Sequence, residues 1–308
     1  MAWFLGVDGG QSSTKAVLGD DSGTIVGMGV GGPCNHVRGP GGREKLVSAV
    51  TDCVGKACAE AGLNPRGIRY RAACFGMSGG PADKREILAE LLPADELIVT
   101  HDAMIALAGA TAGEPGIIAI AGTGSIAFGR NAASRTARVG GWGYVFGDEG
   151  GGFDLTRQAL RAALRYHEGW GPATALHDRL LAATGATDAN DLLHRFYTED
   201  YPRPRIAALS SLVDEAARDG DPVARDLLQH AAQQLATLAG AVRRQLWAED
   251  EGTRVVYAGG VFQSEILLER FRMLVELNGS SCRPPRLDAA TGALIEAYRA
   301  AGIQPQGW

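Results

Sequence analysis

Apolar residues gather first in short runs: "WFLGVD" (3–8), "TKAVLG" (14–19) and, after the turn signal "DDSG" (20–23), "TIVGMGV" (24–30). Short apolar runs joined by tight polar turns predict an antiparallel start. The period then changes. Leu46, Val47, Val50, Val54, Ala57 and Ala61 recur at three-to-four spacing, which predicts a helix over 43–62. A strand running into a glycine-rich loop is expected at 71–80, a helix at 83–92, and a strand with a polar tip at 96–103. A second series opens at "GIIAIAGTGSIAFG" (116–129), read as strand, glycine-rich turn, strand, with a third run, "ARVGGWGY", after it. Helices dominate from there. The segment 221–247 has Asp221 at the N-cap position and Pro222 at the first helical position. A strand is expected at 254–260, and helices at 264–277 and 289–301.

Each half thus opens with hairpin-linked strands around a glycine-rich turn and then alternates helix and strand. This predicts a duplicated α/β architecture with the boundary at "AGEPG" (112–116). The expected lobes are 1–114 and 115–308, with the last helix, 289–301, able to pack back toward the first lobe. No short-period repeat is visible.

The chain has 308 residues, enough for two domains, and a net charge of −5. That charge lacks the footprint of a nucleic-acid binder, and no polybasic run would hold it at a membrane. No apolar run approaches the ~20 residues needed to span a bilayer, and the opening "MAWFLGVDGG" has no signal-peptide pattern. The cysteines (34, 53, 58, 74 and 282) are odd in number and scattered, with no C-x-x-C. A disulfide framework is not expected, and a reduced cytoplasmic setting is. Glycine changes the picture more. There are 43, bunched between apolar runs, as in loops whose backbone approaches a ligand closely.

Gly27, Gly29 and Gly32 satisfy G-x-G-x-x-G after a strand, with Asp52 beyond, but Pro33 and Pro40 bracket a loop where a dinucleotide fold needs a helix. "GVDGGQSSTKAVL" (6–18) is a hairpin with more polar groups than a turn needs. Its amides and hydroxyls suit phosphate oxygens, and Asp8 suits a hydrated Mg²⁺; an ordinary polar hairpin remains the other reading. "IAIAGTGSIAFG" (118–129) repeats the design, and two such hairpins are more specific than one. "VVYAGGVF" (255–262) ends a strand in Gly-Gly, where a flat ring can lie on bare backbone or a helix can simply start. Asp102, in "VTHDA" (99–103), follows a strand, where a carboxylate can serve as general base, as helix N-cap, or as both. The six histidines show no metal spacing.

These segments, with "CNH", "MSGG" and "GGWGYVFGDEGGG", resemble the BadF/BadG/BcrA/BcrD ATPase family of the actin/sugar kinase/Hsp70 superfamily, nearest its N-acetylglucosamine kinase branch. The likeness runs in order from residue 6 to about 293. It implies a two-lobed actin-like ATPase (ribonuclease H-like) fold, with duplicated mixed sheets flanked by helices and an interlobe cleft. It implies an ATP- and Mg²⁺-dependent amino-sugar kinase acting on the sugar 6-hydroxyl, with N-acetylglucosamine, glucosamine or N-acetylmuramic acid as acceptor, and a homodimer as a family possibility. Position by position, Asp102 is the implied base. Asn35, Ser78, Trp142, Gly143, Tyr144 and Asp148 would meet the sugar. Gly10, Ser12, Thr14, Lys15, Gly122, Thr123 and Gly124 would meet the phosphates. Ala207, Gly259 and Gly260 would border the adenosine, and Asp8 would hold the metal through water. Gln11 and Ser12 depart from the family's usual glycine and threonine. Other members are iron–sulfur ATPase activators, which need closely placed cysteines; the Trp and Gly-Asp-Glu-Gly loop favours a kinase. A sugar-kinase-like repressor would need an N-terminal helix-turn-helix, for which a first strand at residue 3 leaves no room.

Overall fold

The structure, a computed structural model, describes residues 2–34, 37 and 39–304. In chain order the elements are β1 (Trp3–Gly9), β2 (Thr14–Gly19), β3 (Ile25–Gly31), α1 (Gly42–Glu60), β4 (Tyr70–Met77), α2 (Arg85–Leu91), β5 (Ala94–His101) and α3 (Asp102–Thr111). There follow β6 (Gly116–Ala121), β7 (Ser125–Arg130), β8 (Thr136–Gly140), α4 (Gly152–His167), α5 (Leu176–Thr184), α6 (Ala189–Phe196) and α7 (Arg203–Ala208). The chain ends with α8 (Ser211–Arg218), α9 (Pro222–Leu246), β9 (Thr253–Ala258), α10 (Glu265–Leu277), β10 (Ser280–Arg283) and α11 (Ala289–Ala300). Among the described residues no helix is long and apolar enough to cross a membrane.

Two compact units form, residues 1–114 with 285–308, and residues 115–284. The second lobe expected at 115–308 is therefore shorter, because α11 belongs to the first unit. Its Ala290, Ala293, Leu294, Ala297 and Tyr298 are buried in one cluster with Phe4, Val17, Cys74 and Ile105. The Tyr298 ring lies 4.4 Å from that of Phe4.

The two sheets share one topology. In the first, the order is β3-β2-β1-β4-β5, with β1–β3 antiparallel and β4 and β5 added in parallel. In the second, β8-β7-β6-β9-β10 repeats this: an antiparallel meander, then two parallel strands. Strand alternation sends Leu5, Val7 and Leu18 into the α1 side of the first sheet and Phe4 and Val17 into the α3/α11 side. Both faces are covered, so β1 reads as a nearly continuous apolar run. In the second unit, α9 begins where Asp221 accepts the Ala224 amide at 3.0 Å. Its small-residue face of Ala231, Ala232, Leu235, Ala236 and Ala239 is buried in the core with β6 and β7.

The glycines that mimic a dinucleotide motif serve packing. Side chains at Gly27, Gly29 and Gly31 would overlap the carbonyl oxygens of Ala57, Cys53 and Ala49, one row of α1 at four-residue spacing. The strand's period of two meets the helix's row of i, i+4, and the α1 backbone rests on β3. A Cβ at Gly32 would meet nothing. Gly29→Ala is thus expected to cost about 2–4 kcal/mol in urea unfolding, and Gly32→Ala less than about 1 kcal/mol.

Candidate functional site

In the first unit, chemistry collects at one end of the sheet. Asp8 and Lys15 are paired across β1 and β2, followed by Gly9 and Thr14. The turn between them closes through Gly10 N–H to Ser13 O at 3.0 Å. Neighbouring amides brace its stem: Cys34 N–H donates to Gly10 O at 3.3 Å and Ser78 N–H to Gly9 O at 3.0 Å. Gln11, Ser12 and Ser13 stay exposed at the tip. Thr14, expected beside phosphates, is instead fully buried, and its hydroxyl donates to Gly32 O at 2.7 Å. The hydroxyl hydrogen is spent inside the fold, because the strand pleat turns Thr14 toward the chain leaving β3.

Asp102 is the first residue of α3, directly after β5. One carboxylate oxygen accepts the Ala103 amide and the other the Ser78 hydroxyl, both at 2.8 Å. The residue is exposed, so it keeps acceptor capacity for a further hydroxyl. Ser78 and Asp102 are thus brought together; Asn35 lies outside the described residues.

Asp8 is half-buried, and its carboxyl is pushed up to about 6, first by burial, then by the like charges of Asp102 and Asp288, with Lys15 opposing. Lys15 donates to Asp288 Oδ2 at 2.7 Å. Asp8 thus faces two like charges with one ammonium to offset them, an excess of negative charge that suits a divalent cation. Among the described residues no set of three His, Cys, Asp or Glu side chains is placed to ligate a metal.

In the second unit the matching turn, 122–124, is held from beneath. Gly122 O and Thr123 O accept the amides of Gly152 (2.8 Å) and Phe153 (3.0 Å), so α4 caps its first turn on the carbonyls of the bend. A side chain at Gly151 would strike the Gly124 backbone. Close docking of a helix on a turn is one reason for the glycines of "GGWGYVFGDEGGG". Asp148, expected to accept sugar hydroxyls, is 4% exposed and lies against Gly124. It accepts the Ser125 amide at 3.3 Å, with Arg203 3.9 Å away. Its left-handed backbone (φ 64°) turns the carboxylate inward, a conformation Asp tolerates better than most residues. The loop's exposed side chains are Trp142, Tyr144, Val145, Phe146 and Glu149. The Arg138 guanidinium sits 4.8 Å over Trp142, and Gly143 separates Trp142 from Tyr144 in sequence.

Beside the same turn lies a cavity of about 720 Å³. Gly122, Thr123, Ala207 and Gly260, all named from sequence as nucleotide contacts, line it together. Gly259 does not; its φ of 104° and its approach to Ala121 O make it the pivot that presents Gly260. Sequence reasoning missed Ser210, Asp214, Gln263 and Glu265 on the cavity wall. It also missed Asp288. As an N-cap before 289–301 it left a local signal, but its bond to Lys15 joins residues 273 positions apart.

The chain belongs to the BadF/BadG/BcrA/BcrD ATPase family, which matches residues 5–297. It is 30% identical to an N-acetylmuramic acid/N-acetylglucosamine kinase of Clostridium acetobutylicum, over 96% of this chain and 98% of that protein. It is 29% identical to an N-acetyl-D-glucosamine kinase of Dictyostelium discoideum, over 86% and 87% of the two chains. Among solved structures, a Chromobacterium violaceum protein assigned as an N-acetylglucosamine kinase superposes with a TM-score of 0.77 at 28% identity, covering 96% of this chain and 98% of that one. The duplicated mixed sheets are those of the actin-like ATPase fold.

The raised Asp8 makes a stability prediction. An acid whose folded pKa lies above its unfolded value binds its proton more tightly in the native state. It therefore lowers stability as pH rises from about 4 to about 6. Asp8→Asn is expected to raise the unfolding free energy by roughly 1–2 kcal/mol at pH 8, after discounting for partial exposure, and by little at pH 4. Urea unfolding at the two pH values measures this.

Proposed function

We propose that the protein is an ATP-dependent amino-sugar kinase acting in the cytoplasm, with N-acetylglucosamine as first acceptor and N-acetylmuramic acid or glucosamine as the alternatives. The observation that carries this reading is the shared cavity. Residues far apart in sequence, Gly122 and Thr123 at the turn, Ala207 on α7 and Gly260 after β9, converge on one space of a size suited to adenosine. The kinase names of the two relatives support it.

In this reading the 122–124 amides and the Thr123 hydroxyl offer donors to phosphate oxygens, and so do Gly10, Ser12 and Lys15. Gly259 stays beneath the adenosine as support for Gly260. Asp102 accepts the proton of the sugar 6-hydroxyl as its oxygen forms the new bond to the γ-phosphorus and the bond to the β-phosphate oxygen breaks. Ser78 orients the Asp102 carboxylate through its 2.8 Å bond. Asp8 would hold the hydration shell of Mg²⁺, which would supply charge neutralisation at the phosphate oxygens. Trp142, Gly143 and Tyr144 offer an aromatic face and bare backbone to a sugar ring. Phosphoryl transfer of this kind depends on position and charge more than on covalent chemistry.

A coupled ADP-release assay across N-acetylglucosamine, N-acetylmuramic acid, glucosamine and glucose tests the reading. Sugar-stimulated ADP release is the expected result, and its absence with every sugar rejects the kinase. Asp102→Asn is expected to lower kcat about 100-fold or more while ATP binding by calorimetry persists. Near-normal turnover would remove Asp102 from the role of base.

A further inference from the structure

We infer that Asp288 is a positioning residue for the phosphate-binding hairpin: it tethers the Lys15 ammonium so that Lys15 stays presented to the nucleotide instead of collapsing onto Asp8. The inference rests on the kinase reading, and names a residue outside its site.

The geometry is specific. Asp288 caps α11, with Oδ1 accepting the Thr291 amide at 2.9 Å, while Oδ2 accepts Lys15 Nζ at 2.7 Å. Its backbone is wedged as well, since a side chain at Gly109 of α3 would overlap the Asp288 carbonyl. The carboxylate is therefore held by the first turn of a buried helix, whereas a lysine side chain has four soft torsions. One rigid and one flexible partner make a tether. Both side chains are 42% exposed, so the pair adds little to stability and its value lies in placement. Burial works against ionisation of Asp288, but the Lys15 and Thr291 bonds outweigh it and hold the carboxyl below its usual range.

The alternative partner of Lys15 explains why a tether is needed. Asp8 is its cross-strand neighbour, and Asp8 in turn feels both Asp102 and Asp288. A lysine released from Asp288 would find the Asp8 carboxylate nearby, and pairing with it would offset the charge that suits a cation. Held at Asp288, the ammonium uses one of three donors and keeps two for phosphate oxygens.

Asp288→Asn separates tether from cap, because Asn caps a helix about as well as Asp but presents an amide donor to the ammonium. The expected result is an unchanged melting temperature, with Mg-ATP affinity by calorimetry and kcat/KM for ATP both reduced about tenfold. Lys15→Met should lose at least as much, and the double variant no more than Lys15→Met alone. Losses that multiply in the double variant, or normal ATP binding by Asp288→Asn, overturn the tether. Normal ATP binding by Lys15→Met also overturns it, while sugar-stimulated ADP release would leave the kinase reading standing.

Discussion

Backbone pressed against backbone is the constraint on which the rest of this structure depends. A turn whose outer surface stays free has to be fixed from behind. Here that is done by carbonyls and amides at separations that no side chain would permit. The α4 amides sit on Gly122 O and Thr123 O because Gly151 lets the helix come in, and Gly259 leaves room for Ala121 O. The α1 carbonyls lie on β3 through Gly27, Gly29 and Gly31, and α11 meets β1 at Gly6. Such contacts have short reach and little play, which suits groups that must hold oxygen atoms within a fraction of an ångström.

The two units solve the same problem with one topology and different braces. In each, a hairpin between the first two strands supplies the turn, and a parallel strand flanks it. The first turn is braced by Cys34 and Ser78 amides, and Ser78 also bonds Asp102, so the turn and the carboxylate are referred to one residue. The second is braced by a helix terminus and by the buried Asp148. The first unit carries the concentrated negative charge. The second carries the cavity of about 720 Å³ beside its turn.

Much of the fold was legible because its signals are local. Strand and helix periods, the Asp221-Pro222 helix start and the repeated hairpins depend on neighbours in sequence. The placement of α11 was open because an amphipathic helix does not encode which sheet it will cover. Thr14 and Asp148 show the same limit at the site. Composition marks both as polar groups in ligand-like loops, but pleat direction and a left-handed φ turn them inward, and neither can be read from spacing. The convergence of Gly122, Ala207 and Gly260 came from resemblance, whereas the pairing of Asp288 with Lys15 needed coordinates.

The charge balance at the end of the first sheet then constrains what can occupy it. Asp8 is kept where burial and two like charges oppose its ionisation, at a cost to stability that packing alone does not call for. Lys15 is too little to relieve it, being already bonded to Asp288. A neutral ligand would leave the strain in place, and an anion alone would add to it. An anion arriving with a divalent cation would relieve it, because the cation draws the Asp8 carboxylate while Lys15 meets the anion. Asp102 would then keep its free acceptor capacity for the hydroxyl. A triphosphate with its metal has that combination of charges, which is the ligand chemistry the proposed reaction asks of this end of the sheet.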